Sequence, residues 1–424
     1  MTAKILHISD IHFHSGSETD YDPDTPYRDA LVDKVRESAG QAKFDCIFFT
    51  GDIAGRGAKA EYSIARKWLD NLAAIAGCGT AGVYMVPGNH DVDRAIAREV
   101  LVVQLAQRTV VDAANAAERE RQLSRAMESA DTGPALFRPL ANYNEFAAYY
   151  GCEIGPAERG VWARFLALDH GYRLKIFGMT SVLFSSCKPA GGDDTRAQNL
   201  YVGPPQQVLR HEKGEIVVSL IHHPADWLID TAAQERALRD RSVLHFEGHV
   251  HDRLVVTGAG RMRFAAGAAS PNRYEAGFEP GFNIVQLDIV RGDREAYFLD
   301  VEAQVWAWQD NPGRFRLHLD HGDQNWRHRI PLPAIPAGAV PMMATDRLPP
   351  PAPRETAGMG PAIQRFWELS GSAKGRIARQ LDLLTDDERR LPERYRYTNI
   401  FSRAAARGQV EALVEAIRAE GERA

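Results

Sequence analysis

Cysteine is scarce: four in 424 residues (Cys46, Cys78, Cys152 and Cys187), widely spaced and without a C-x-x-C pair. That scarcity excludes a disulfide scaffold, argues against a zinc knuckle, and leaves reduced thiols in core or loop. Long apolar runs are missing as well; none approaches the ~20 residues that a membrane span requires. Nor is there an excess of one charge, with a net charge of −5 and a pI of about 6.3. A broadly basic nucleic-acid surface is thereby disfavoured, although a local groove stays open. The chain enters an apolar run within its first ten residues, which leaves no room for a signal peptide and makes the cytoplasm the expected location. The hydrophobic fraction of 44% and charged fraction of 25% are those of an ordinary globular protein. The length allows one large domain and a smaller one.

What is present is a set of apolar runs that end in chemistry. Tyr84-Met85-Val86 runs into Pro87-Gly88-Asn89-His90-Asp91, a buried strand followed by a tight turn that delivers an amide, an imidazole and a carboxylate. The same pattern recurs in Ile5–Ser9 ending in Asp10-Ile11-His12, and in Cys46–Thr50 ending in Gly51-Asp52. It recurs again in Ile216–Ile221 ending in His222-His223-Pro224, and in Val243–Glu247 ending in Gly248-His249-Val250-His251. Strand, helix and strand alternate through the first ninety residues, which predicts βαβ units and a parallel sheet. Open sheets of this kind hold their ligands at the carboxyl ends of the strands.

The helix expected over Tyr27–Gly40 precedes the second run, and a second helix carries the stripe Ile64, Trp68, Leu72 and Ile75. Residues 94–151 read as long helices, expected to cap the site or else to extend the packing on one flank. Short alternating runs at 262–266, 282–289, 296–301 and 305–308 favour antiparallel pairing. The main domain is placed at 1–330. Residues 331–361 are so rich in proline that an extended linker is expected. Residues 362–424, with 12 basic and 10 acidic side chains, read as a small helical, adaptor-like module. In it Thr385-Asp386-Asp387-Glu388 forms a capping box.

The ordered blocks D-x-H, G-D, G-N-H-D, H-H-P and G-H-x-H, spread from about Lys4 to Asp300, resemble the calcineurin-like metallophosphoesterase superfamily, in its bacterial phosphodiesterase-like branch. The resemblance implies a four-layer α/β/β/α sandwich of two mixed sheets. It implies two metal ions, Mn²⁺, Fe²⁺/Fe³⁺ or Zn²⁺, bridged by Asp52. Asp10, His12 and His251 complete one metal, and Asn89, His222 and His249 the other. A metal-bridging hydroxide is then the nucleophile and His90 the general acid, with Asp91 orienting its ring. The neutral Asn89 helps keep the site's net charge positive, which attracts a phosphodiester anion. His223 and Arg56 are candidate substrate contacts, and Asp252 a support for a ligand histidine. His7 and His245 lie inside apolar runs and read as core.

G-D-I-A-G-R-G and G-N-H-D depart from the G-D-x-V-D-R-G and G-N-H-E of protein phosphatases. H-H-P together with G-N-H-D resembles the bacterial cyclic-nucleotide-type phosphodiesterases, and that resemblance implies phosphodiester hydrolysis of a nucleotide-like substrate. A nuclease, a phosphomonoesterase, or a signalling or conflict effector recruited through 362–424 are the alternatives. A protein partner for that module is expected, and no membrane association.

Overall fold

A computed structural model describes residues 3–17, 22–186, 199–270, 279–293, 296–319, 323, 325–335, 365–366, 369–385, 388, 397, 400, 403–404 and 407–421. Cys187 and residues 336–361 of the expected linker lie outside them. Two compact units divide at Asp346/Arg347.

The first unit contains β1 (Ala3–Ile8), β2 (Cys46–Phe49), β3 (Val83–Met85), β4 (Val161–Ala167), β5 (Arg173–Met179), β6 (Glu215–Leu220) and β7 (Leu244–Glu247). It continues with β8 (Leu254–Gly258), β9 (Arg261–Ala265), β10 (Gly281–Arg291), β11 (Tyr297–Asp310), β12 (Gly313–His318) and β13 (Trp326–Leu332). One sheet runs β12-β11-β10-β1-β2-β3, with β13 also on β11; the other runs β4-β5-β6-β7-β9-β8. Within the first, β1, β2 and β3 are parallel while β1 and β10 are antiparallel. Within the second, β5, β6, β7 and β9 are parallel. Both sheets are therefore mixed, and helices complete the α/β/β/α layering.

The motif strands β1, β2, β3, β6 and β7 are buried at every residue, as two-sided burial between sheet and helix requires. The sheets meet through Phe246 of β7. Its ring lies edge-on to His7 and to Phe48, each 5.0 Å away, and stacks on Phe264 at 4.7 Å. His7 and His245 are buried. His7 bonds Thr50 at 3.0 Å and His245 bonds Ser219 at 2.8 Å, so both belong to the interior polar pairs of the core.

Several local expectations shift. Helix α1 spans Thr25–Gln41, with Pro26 in its first turn, where a missing N–H costs nothing. Helix α2 (Lys59–Ala76) buries Tyr62, Ala65, Leu69, Leu72 and Ala76. Ile64, Trp68 and Ile75 flank that face rather than centre it. The runs at 296–301 and 305–308 are one strand, β11, because its fourteen residues bridge β10, β12 and β13. β9 pairs in parallel with β7, and only its other side is antiparallel. Pro331 opens no linker; it sits opposite Phe298 in β13, where an edge strand tolerates a residue without an N–H.

Residues 94–151 form α3 (Arg94–Glu99), α4 (Leu101–Val111), α5 (Ala116–Glu128), α6 (Thr132–Phe137) and α7 (Ala141–Ala147). Phe146 stacks on Tyr62 of α2 at 5.1 Å, Tyr143 donates to the Met85 carbonyl at 3.2 Å, and Asn142 donates to the Gly57 carbonyl at 2.9 Å. These contacts brace α2, β3 and the Gly55–Gly57 loop from the flank. Two helices, Gly371–Gln380 and Val410–Gly421, anchor the second unit. Its apolar core gathers Phe366, Ile377, Leu383, Tyr397, Ile400, Leu413 and Ile417. Thr385 and Glu388 make both reciprocal bonds of the expected capping box. No helix among the described residues is long and apolar enough to cross a membrane.

Because Phe246 fills the space between the sheets, Phe246→Ala should cost about 3–5 kcal/mol. It should lower the urea midpoint of the first unit, followed by near-UV circular dichroism.

Candidate metal centre

Each motif strand ends by turning sharply, and the turns carry the donors. Asp10 (φ 54°), His12 (51°), Asp52 (53°), His249 (71°) and His251 (58°) all adopt the left-handed conformation. Residues other than glycine pay roughly 1–3 kcal/mol for such a backbone, which persists where the surroundings over-determine it, typically at functional sites. Here backbone pairing continues past the strands: Asp10 N–H donates to the Gly51 carbonyl, His12 N–H to Asp52, Ser270 N–H to Asp10 and Gly248 N–H to His222. The turns from the two sheets are thus laced into one floor.

Two carboxylates occupy its centre, each fully or almost fully buried. Asp52 Oδ1 accepts the His90 N–H at 2.7 Å, which leaves Oδ2 facing His12 Nε2 at 3.3 Å and His222 Nε2 at 3.4 Å. Asp10 repeats the arrangement. Its Oδ2 accepts the His249 N–H at 3.1 Å, while the buried Oδ1 faces His251 Nε2 at 3.3 Å and has no hydrogen-bond partner among the described residues. An orphaned carboxylate oxygen beside an imidazole nitrogen is costly unless a cation completes it.

The imidazoles are aimed by carbonyls. His222 Nδ1–H donates to Thr50 at 2.7 Å, His90 Nδ1–H to Gly55 at 2.9 Å, and His12 Nδ1–H to Ser270 at 3.4 Å. Each Nε2 lone pair is thereby turned to the centre. Asn89 Oδ1 lies 3.2 Å from His222 Nε2. Donor atoms converge within 4.8 Å of one another in the sets Asp10–His12–His251, Asp10–Asp52–His222, His12–Asp52–His90 and His222–His223–His249. The seven expected ligands are therefore brought together, and Asp52 Oδ2 sits between the two halves. Such a donor set of imidazole, carboxylate and amide suits first-row divalent cations.

The electrostatics follow. Burial opposes charge on Asp52, but His222 and His12 outweigh it and hold the carboxyl well below its usual range. Asp10 is likewise held down to about 2 against burial by His222 and His251. Burial lowers His222, yet Asp52 and Asp10 push it up to about 9. His249 is pulled down to about 4 by burial and by His222. In the absence of metal, a proton on His222 plays the counter-cation.

Two expectations are corrected. Asp91 does not orient His90. Its carboxylate accepts N–H groups from Gly88 (2.8 Å), Ala54 (3.0 Å) and Ile53 (3.3 Å) and the Tyr62 hydroxyl (2.9 Å), while His90 is held by Gly55. Asp91 ties the Asp52 loop to the Asn89 loop, and burial with the nearby Asp52 pushes it up to about 6. Asp252 is exposed and bonds no candidate ligand among the described residues. Arg56 is exposed, and its guanidinium has no ion pair among the described residues. His223, by contrast, is buried within the cluster, its Nδ1 2.8 Å from Ser181 Oγ. Two glycines make the approach possible. A Cβ on Gly88 would lie 2.1 Å from Asp52 Oδ1, and one on Gly248 1.9 Å from Ser9 Oγ and 2.7 Å from Asp10 Oδ2.

The supporting carbonyls of Thr50, Gly55 and Ser270 carry no sequence signal, because any residue has one. Trp227, whose ring is 4.4 Å from His249, had a readable one: an aromatic just past the H-H-P turn.

A family model described as a GTPase-associated adaptor domain matches residues 362–419. The uncharacterized metallophosphoesterase-like protein YydB of Bacillus subtilis is 24% identical over 339 residues, covering 77% of this chain. The chain spans 65% of that relative's length. Among solved structures, Vps29 from Cryptosporidium parvum is 12% identical, covers 77% of this chain and 99% of its own, and has a TM-score of 0.34. A putative 5′-nucleotidase from Staphylococcus aureus is also 12% identical, with 80% and 55% coverage and a TM-score of 0.34. A family model for calcineurin-like phosphoesterases matches residues 3–253, more than half of the 424. The chain belongs to the calcineurin-like phosphoesterase family.

Proposed function

We propose that the chain is a two-metal phosphodiesterase acting on a nucleotide-like ester. The observation that carries this reading is the position of Asp52 Oδ2, equidistant within 0.1 Å from the imidazoles of two donor sets. Asp10, His12, His251 and Asp52 would hold one cation, and Asn89, His222, His249 and Asp52 the other. Two such cations would supply a nucleophile from water at neutral pH and neutralise charge on the phosphoryl oxygens. Asp52 would be shared between them, its Oδ1 already accepting the His90 N–H.

His90 then serves the leaving group. Its Nδ1–H is fixed on Gly55, so the ring presents Nε2 beside the centre, 4.8 Å between ring centroids from His12. Burial, only partly offset by Asp52, lowers its basicity. With Nδ1–H fixed on Gly55, its Nε2 is placed to give a proton to the departing ester oxygen as the P–O bond breaks. Asp91 contributes by holding His90's loop against the Asp52 loop. For the second unit, the matching adaptor model supports recruitment of a protein partner, in a system that includes a GTPase.

Reconstitution with Mn²⁺, Fe²⁺ or Zn²⁺ should give turnover of bis-p-nitrophenyl phosphate and cyclic nucleotides above that of p-nitrophenyl phosphate or DNA. Turnover of the mono-ester alone would overturn the diesterase reading. His90→Ala should lower kcat by about 10²–10⁴-fold with metal content unchanged by elemental analysis. Gly88→Ala should instead lower metal content along with activity, because its Cβ displaces Asp52. Deleting 362–424 should leave turnover intact and abolish capture of the partner; lost turnover would make the unit part of the catalytic body.

A further inference from the structure

The floor of the centre is polar throughout, and one wall is not. Ala225–Trp227 forms a tight turn directly after His222-His223-Pro224, closed by Trp227 N–H to the Pro224 carbonyl and Leu228 N–H to the Ala225 carbonyl, each 3.1 Å. That turn places the Trp227 indole edge-on to His249, 4.4 Å between centroids at 87°. The His223 ring also lies against His249, 4.2 Å between centroids. The body of the indole packs against the satellite core of Phe177, Met179, Leu200, Val202, Ile221 and Leu228, so the ring is fixed. Yet the residue is only half-buried, and its N–H has no partner among the described residues. Trp162, which serves packing alone, is 4% exposed and donates its N–H to the Met85 carbonyl at 3.0 Å.

We propose that Trp227 is a specificity-determining residue whose half-exposed indole, with an N–H that has no partner among the described residues, receives the heterocyclic base of a nucleoside phosphodiester. The inference rests on the diesterase reading of the preceding subsection and names its substrate class. A rigid aromatic costs little entropy on binding, and base–aromatic stacking is worth about 1–3 kcal/mol per base. It favours nucleosides over alkyl esters without choosing among bases, because every base has a π-face. A residue that merely steadied His249 would affect all esters alike.

Two esters that share a leaving group separate these roles: thymidine 5′-(p-nitrophenyl) phosphate and methyl p-nitrophenyl phosphate. In the metal-loaded full chain, Trp227→Leu keeps apolar bulk but removes the π-face. It should cut kcat/KM about tenfold on the thymidine ester, mainly through KM, and less than about twofold on the methyl ester. Trp227→Phe, the gentler variant should Leu not fold, should retain most of the preference. Equal losses on both esters, or none on either, would overturn this inference while leaving the diesterase reading standing. Failure of the unaltered protein to cleave either ester would overturn both.

Discussion

Everything at the centre depends on keeping two carboxylates ionised in the interior. Burial alone would drive Asp10 and Asp52 towards their neutral forms, since a desolvated anion without compensation is among the costliest groups a fold can hold. The chain resolves this the same way twice. A backbone N–H from an opposing motif turn, His90 for Asp52 and His249 for Asp10, fixes one oxygen. Imidazoles face the other. The donor that anchors each carboxylate comes from the turn that carries other donors, so no half of the site forms alone.

That reciprocity explains the strained backbone. A strand that simply continued would send Asp10 and His12, two residues apart, to the same side. Turning through left-handed conformations at both lets one stay with the carboxylate centre and the other reach across to Asp52. The cost is local and is offset by the packing around the turns: fully buried strands, the Phe246 stack between sheets, and Asp91, which joins two loops through three backbone N–H groups and ties them to α2 through Tyr62. Asp91 is thus an organiser of the centre, although its place beside His90 suggests a catalytic partner.

How much of this was legible beforehand follows from how local each feature is. Strand-end motifs are contiguous, so the seven donors and a parallel βαβ core could be read from residue order, while the two-sheet frame came from the family resemblance; the structure gathers Asp10, His12, Asp52, Asn89, His222, His249 and His251 in one place. Ring orientation is not contiguous. His12 is aimed by a carbonyl 258 residues away and His222 by one 172 residues away, which no local pattern encodes. The same logic misplaced Asp91 and Asp252, adjacent in sequence to histidines they do not touch. It also divided β11 in two and ended the domain at Pro331, because strand length and edge position depend on partners rather than on propensity.

The two sheets contribute unequally but jointly: Asp10, His12, Asp52 and Asn89 follow strands of the first, His222, His249 and His251 strands of the second. A cation bound across that division would bind the folded unit and not the unfolded chain, so occupancy adds directly to stability. It would also displace the proton that Asp52 and Asp10 hold on His222, since a ligating imidazole must be neutral. The two buried carboxylates are therefore offset in part by that proton, and by metal when it binds.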